Sequence, residues 1–170
     1  MNTNNPNRPS EPVVEQTVNN STSWIGHSIN NPVDISKGQT FEATSEGNLG
    51  DVQIFSNIVT APGDVIMTLH SFDPQENVWS NPIASSTVPM KTTDTGRWMS
   101  FPLAGMHLQK GRSYGFRISS SQSLVGLGEA VCSAKNPPVI KGQEWQFTNG
   151  DSRGQSFSYF TLTYRLGLRA

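Results

Sequence analysis

From Trp24 to the end of the chain, apolar and polar residues alternate with a period of two in short runs separated by turn residues. That is the pattern of strands with one buried face, and no stretch carries the 3.6-residue period of a helix of normal length. The candidate strands are Gly38 to Thr44, Val52 to Ile58, Asp64 to Phe72, Ile83 to Val88, Arg97 to Leu103, Ser113 to Ser119, Leu124 to Val131, Glu144 to Thr148 and Phe157 to Leu168. Most connections carry Gly, Pro, Asn or Asp, as in SEGN, APGD, DPQEN, TTDTG, KNPP and TNGDSRG. About eight to ten antiparallel strands in one domain predict an all-β, two-sheet sandwich of jelly-roll type.

The alternation also proposes a core. Val52, Ile54 and Ile58 share one strand face, as do Val65, Met67 and Leu69, then Met99, Phe101 and Leu103, then Tyr114, Phe116 and Ile118. The last segment contributes Phe160, Leu162, Tyr164, Leu166 and Leu168. In LVGLGEAV the other face is nearly all small, which allows the close approach of a second sheet or a ligand.

The 170 residues fit one domain, expected over 24–170. Only 15% are charged and the net charge is −1, so there is no excess of positive charge for a phosphate backbone or an anionic membrane; neither nucleic acid nor membrane insertion is expected. Cys132 is the single cysteine, which excludes an intrachain disulfide and a cysteine-based zinc site. The N-terminus lacks the basic patch and apolar run of a signal peptide, and Ala170 directly follows a strand-like segment, so neither a leader nor an anchor is expected. Localisation stays open on these residues alone. Residues 1–23 hold six Asn and three Pro and read as a flexible arm. The arm contains one strand-length apolar segment, Val13-Val14-Glu15-Gln16-Thr17-Val18.

The order GQTFEATSEGNLGDVQIF, PGDVIMTLHSFD, IASSTV, TGRWMSFPLAGMHLQKGRSYGFRI and FSYFTLTYR resembles a class of bacterial jelly-roll modules similar to carbohydrate-binding modules, which are appended to secreted and surface proteins. Gly38 to Ile118 carry the matching elements in order. The resemblance implies a jelly-roll sandwich, an extracellular or particle-surface setting, and a role as sugar binder, adhesin or spacer.

Catalytic motifs lack their settings. Gly111-Arg112-Ser113-Tyr114-Gly115 and Gly150-Asp151-Ser152-Arg153-Gly154 both match G-x-S-x-G, but a nucleophile elbow joins a strand to a helix, whereas Ser113 opens a strand and Ser152 sits in a turn. His27, His70 and His107 lie far apart with no metal-ligand spacing, so no metal site and no cofactor are expected. Structural calcium is the alternative, with Glu42, Asp64 and Asp151 scattered among separate loops. The acids in turns more commonly cap backbone N–H groups. A glycosidase-type carboxylate pair could still be assembled from distant strands holding Glu42, Glu129 and Glu144. The chain is nevertheless expected not to be an enzyme.

Two tryptophans fall outside the core pattern. Trp79 follows the polar turn Asp73-Pro74-Gln75-Glu76-Asn77, and Trp98 is out of phase with Met99, Phe101 and Leu103. Exposed indoles stack on the C–H faces of sugars while neighbouring amides bond the hydroxyls. The expected function is therefore weak glycan recognition at Trp79 and Trp98, with Gln75 and Asn77 alongside. The alternative is a structural or assembly subunit of a fibre, phage or virus-like particle or surface layer, with other subunits or a homo-oligomer as partners. In that role Val13, Val14 and Val18 form a strand-donating arm, or else that segment is the first strand of its own sheet.

Overall fold

Each segment with period-two alternation becomes a strand, because only an extended chain sends alternate side chains to opposite faces. The computed structural model describes residues 11–28, 31–103, 105–137, 140–149 and 151–169, and the side chains of 11–13 and 31–33 are outside that description. In order, the strands are β1 (Glu11–Gln16), β2 (Ser21–Ser28), β3 (Asn31–Glu42), β4 (Gly47–Ala61), β5 (Gly63–Asp73), β6 (Val78–Trp79), β7 (Ala84–Met90), β8 (Arg97–Pro102), β9 (His107–Leu108), β10 (Ser113–Ser119), β11 (Leu124–Val131), β12 (Glu144–Thr148), β13 (Gln155–Phe157), β14 (Phe160–Leu162) and β15 (Tyr164–Arg169). Among the described residues the helical content is one 3-10 turn, Thr92–Asp94.

All pairings are antiparallel, and the hydrogen-bonded ladder is continuous but folded over on itself into two layers. One layer runs β8-β4-β15-β1. The other runs β7-β5-β10-β3-β12-β13. Strands β2 and β11 close the seam: β11 bonds β2 on one edge and β4 on the other, and β2 continues to β3. The layers meet through Val52, Ile54, Phe101, Tyr164 and Leu166 on one side and Val65, Met67, Leu69, Phe41, Phe116 and Ile118 on the other, all buried. Tyr164 bridges them, its ring 5.3 Å from Phe116 and 6.4 Å from Phe41. The sandwich read from the sequence is the architecture observed.

Ile58 departs from its expected face. Val52 and Ile54 point inward, yet Ile58 is exposed and Val59 is buried. The ladder to β11 skips Asn57, since Leu127 faces Ser56 and Gly126 faces Ile58. One extra residue reverses the facing of everything beyond it. The side-chain amide of Asn57 donates to the Ser21 carbonyl at 3.0 Å and to Thr22 Oγ1 at 2.9 Å, which holds the bulge.

Phe157 to Leu168 is not one strand but three, because each piece has a different partner: β13 bonds β12, β14 bonds β11, and β15 lies between β4 and β1. The residues expected as an arm hold two strands. β1 lies on β15 of the same chain, and β2 begins at Ser21, so a boundary between 23 and 24 falls inside a paired strand. Residues 1–10 lie outside the described part.

Candidate functional site

The core residues Tyr114, Phe116 and Ile118 force Gly115, Arg117 and Ser119 onto the outer face of the second layer. Register sets their neighbours there. Arg117 stands opposite Thr68 of β5 and Gly38 of β3, and Gly115 stands opposite His70 and Thr40. Farther across, Trp145 faces Gly38 and Phe147 faces Ser36. Two glycines in adjacent strands leave a gap in this face, and the β6 hairpin drops Trp79 into it. A β-carbon at Gly115 would overlap the indole, and one at Gly38 would come within 3.0 Å of Trp79 Cη2. The indole meets His70, Phe72, Trp145 and Phe147 edge to face, with ring centres 5.4 to 5.8 Å apart. Its N–H is buried without an acceptor among the described residues. Trp79 is thus a half-buried wall rather than the exposed platform read from the sequence.

Beside this wall runs an open groove of about 830 Å³ lined by Thr68, Asn77, Trp79, Asn81, Arg117, Ser119 and Arg153, among others. A smaller hollow of about 480 Å³ adjoins it, and Arg117, Ser36, Ser119 and Ser152 border both. Both volumes are in the range of ligand sites, about 300 to 1,000 Å³.

The charged and polar groups around the groove are not equally free. His70 is buried; its Nδ1–H donates to the Ser80 carbonyl at 2.8 Å, so Nε2 is the acceptor for Thr68 Oγ1 at 2.7 Å. Burial lowers its pKa, as does the Arg117 charge more weakly, and the Ser80 bond only partly offsets them. A neutral ring with both nitrogens engaged ties β5 to the β6 hairpin. Asp151 accepts from the Arg153 and Gly154 backbone N–H groups at 2.9 and 3.3 Å. Arg117 differs: its guanidinium lies 3.7 Å from the centre of the Phe147 ring, and no side chain or carbonyl among the described residues accepts its N–H groups. Burial lowers its pKa and Asp151 partly restores it.

The residues singled out from the sequence are not brought together. Asn77, with φ 54 at the hairpin tip, lines the groove with Trp79. Gln75 is in the same turn, its backbone N–H bonded to Asp73 Oδ1 at 2.9 Å, but it does not line the groove. Trp98 is on the outer face of the opposite layer, packed on Phe55 with Arg165 4.2 Å above its ring. Val14 is buried in β1, Val13 belongs to the same strand, and Val18 is exposed, its carbonyl accepting from Thr163 Oγ1 at 2.7 Å. Arg117, Thr68, Ser119 and Phe147 were missed. The signal was present: in the outward row Ser113, Gly115, Arg117 and Ser119, one long cation stands among small residues.

A second constellation lies in the interior. Glu129 and Glu144, suspected as distant carboxylates, converge between β11 and β12 and are only 5% and 2% exposed. Ser23 Oγ donates to Glu144 Oε2 at 3.3 Å, and Lys37 Nζ donates to Gln146 Oε1 at 2.7 Å nearby. Burial first, then the adjacent Glu129 carboxyl, pushes Glu144 up to about 9, with Lys37 and Ser23 opposing. Burial likewise lowers the Lys37 pKa against the pull of both glutamates. At neutral pH Glu144 keeps its proton. Glu42, the third of the suspected acids, is elsewhere and pairs with Lys141 at 3.2 Å.

No protein-family model matches the chain, and no curated protein matches it in sequence. Among solved structures it is similar to the cysteine protease and lectin-like domains of a surface-layer-associated protein of Clostridium difficile, with 10% identity and a TM-score of 0.49. The similarity covers 79% of this chain and 32% of that one, so the chain spans about a third of the length of that structure.

Proposed function

We propose that the chain is a non-catalytic binding module that recognises a glycan in the groove beside Trp79. The observation that carries this reading is the lining of the groove. Trp79 and Trp145 line it together with Thr, Ser and Asn side chains, which suits a ligand with apolar C–H faces and many hydroxyls. Absence of catalysis is part of the proposal. Ser152 borders the groove, but His70, the histidine there, has both ring nitrogens engaged. Glu129 and Glu144 are too buried to hold a sugar oxygen between them. An extracellular or surface setting accords with the resemblance of the sequence to appended modules. A shallow site with one aromatic wall predicts a Kd between about micromolar and millimolar. Glycan-array screening followed by tryptophan-fluorescence titration tests the reading. Saturable binding of an oligosaccharide that Trp79→Ala abolishes and Trp98→Ala leaves intact is expected, and a blank array, or binding indifferent to Trp79→Ala, overturns it.

A further inference from the structure

We infer that the glycan carries a carboxylate, that is, a sugar acid, and that Arg117 is its anchor; this deepens the groove reading and rests on it. Arg117 is a half-buried guanidinium whose carbon lies over the Phe147 ring at 3.7 Å, with no protein acceptor among the described residues for its N–H groups. Contact with the ring uses none of the N–H donors and leaves them for a partner. A carboxylate meets such a fork with two parallel charge-assisted bonds, whereas a neutral hydroxyl satisfies one donor at a time.

The surrounding charges agree. Arg153 lines the same groove, so two cations face it against the single acid Glu76 on the hairpin. Of the two acids of the adjoining hollow, Asp34 Oδ1 is 2.6 Å from His27 Nδ1, and Asp151 holds backbone N–H groups of its own turn, so that its charge reaches Arg117 while it accepts no hydrogen bond from the guanidinium. Leaving a partly desolvated cation without an acceptor is costly unless the partner arrives from outside. Ser119 and Thr68 line the groove beside Arg117, Ser119 able to donate to or accept from a ring hydroxyl of the same sugar and Thr68, its proton given to His70 Nε2, able to accept from one.

The test uses the full chain and oligomers of galacturonic, glucuronic and mannuronic acid, each paired with its methyl ester, which keeps the ring and removes the charge. Calorimetry is expected to give at least tenfold tighter binding of one acid than of its ester, a ratio set by a bidentate charge-assisted contact. Raising the salt concentration weakens the acid and spares the ester. Arg117→Gln lowers the acid to the level of its ester, and Arg117→Lys recovers only part of the difference because a point charge cannot make the planar fork. Thermal melts of each variant check that the fold persists. Equal binding of acid and ester, or discrimination that survives Arg117→Gln, overturns the anchor while leaving a glycan-binding module. If neither acids, esters nor neutral oligosaccharides bind, the module reading falls together with the anchor.

Discussion

The two outer faces of the sandwich carry the same pair of residue types, an arginine over an aromatic ring, and use it in opposite ways. On the first layer Arg165 lies over Trp98, and its Nε donates to Gln53 Oε1 at 2.6 Å. Gln53 Nε2 donates in turn to Asp51 Oδ2 at 2.9 Å, which also accepts from Ser100 Oγ at 2.7 Å. The cation, the amide, the acid and the hydroxyl form a finished chain across β15, β4 and β8. On the second layer Arg117 stacks on Phe147 and meets no acceptor among the described residues. The difference teaches that stacking alone does not mark a binding residue. What marks it is the set of donors that the fold leaves without acceptors.

Removing the aromatic from each face should break this symmetry most visibly. Trp79→Ala empties a gap surrounded by four aromatic rings and is expected to cost about 3 kcal/mol, near the lower end for large aromatic truncations, and to abolish glycan binding. Trp98→Ala, on a ring with fewer aromatic neighbours, should cost about 1 kcal/mol and leave binding unchanged. Urea melts and the fluorescence titration read both.

Neither face should govern how stability depends on pH, since that belongs to the interior. Glu144 keeps its proton in the folded chain up to about 9, against about 4.5 for the same carboxyl in the unfolded chain. Its contribution is therefore fully present below about 4.5 and is lost as pH rises toward 9, because the unfolded state releases a proton that the folded state retains. Glu144→Gln mimics the protonated form and should stabilise the chain increasingly with pH, by roughly 1 kcal/mol per unit. Denaturant melts between pH 5 and 8 check the slope; parallel curves for the two proteins would refute it. Binding of a sugar acid over the same range should stay nearly flat.

The arginines give the sharpest contrast for a smaller effect. Arg165→Gln interrupts a hydrogen-bonded chain and should cost about 1 kcal/mol without affecting ligand. Arg117→Gln should change stability by less than about 1 kcal/mol while removing the preference for acids, because only the ring contact is lost from the free protein. If the two variants behave alike in both assays, the comparison fails. Smallest of all, Tyr164→Phe is expected to be neutral or to stabilise by up to about 1 kcal/mol, since its hydroxyl is buried between the layers with no partner among the described residues.

The parts of this molecule that were legible in the sequence are those governed by local periodicity. Val65, Met67 and Leu69, like Tyr114, Phe116 and Ile118, were assigned inward by alternation and are buried. Alternation could not register Asn57, because a bulge is defined by the partner strand and not by the residues on either side. Two-residue strands such as β6 and β9 are too short to show a period, so the hairpin that delivers Trp79 was read as an exposed turn. Gly38 and Gly115 looked like ordinary strand glycines, and only the register of β3 against β10 turns them into a seat for an indole. Glu129 and Glu144 could be named as candidates but not placed, since their meeting depends on the closure of the seam by β2 and β11. Arg117 announced itself by the small residues around it, though its lack of an acceptor is a property of three dimensions.

The pairing of β1 with β15 also fixes how the molecule meets tension. Glu11 lies opposite Leu168 and Gln16 opposite Tyr164, so the outer ends of the first and last strands are side by side. Opposed pulls on those ends do not load the ladder in shear, where all bonds share the strain. They peel it from Glu11 and Leu168 inward, one rung after another. A chain held by both ends should therefore yield first at β1, at low force, while Tyr164 still clamps β15 between the layers.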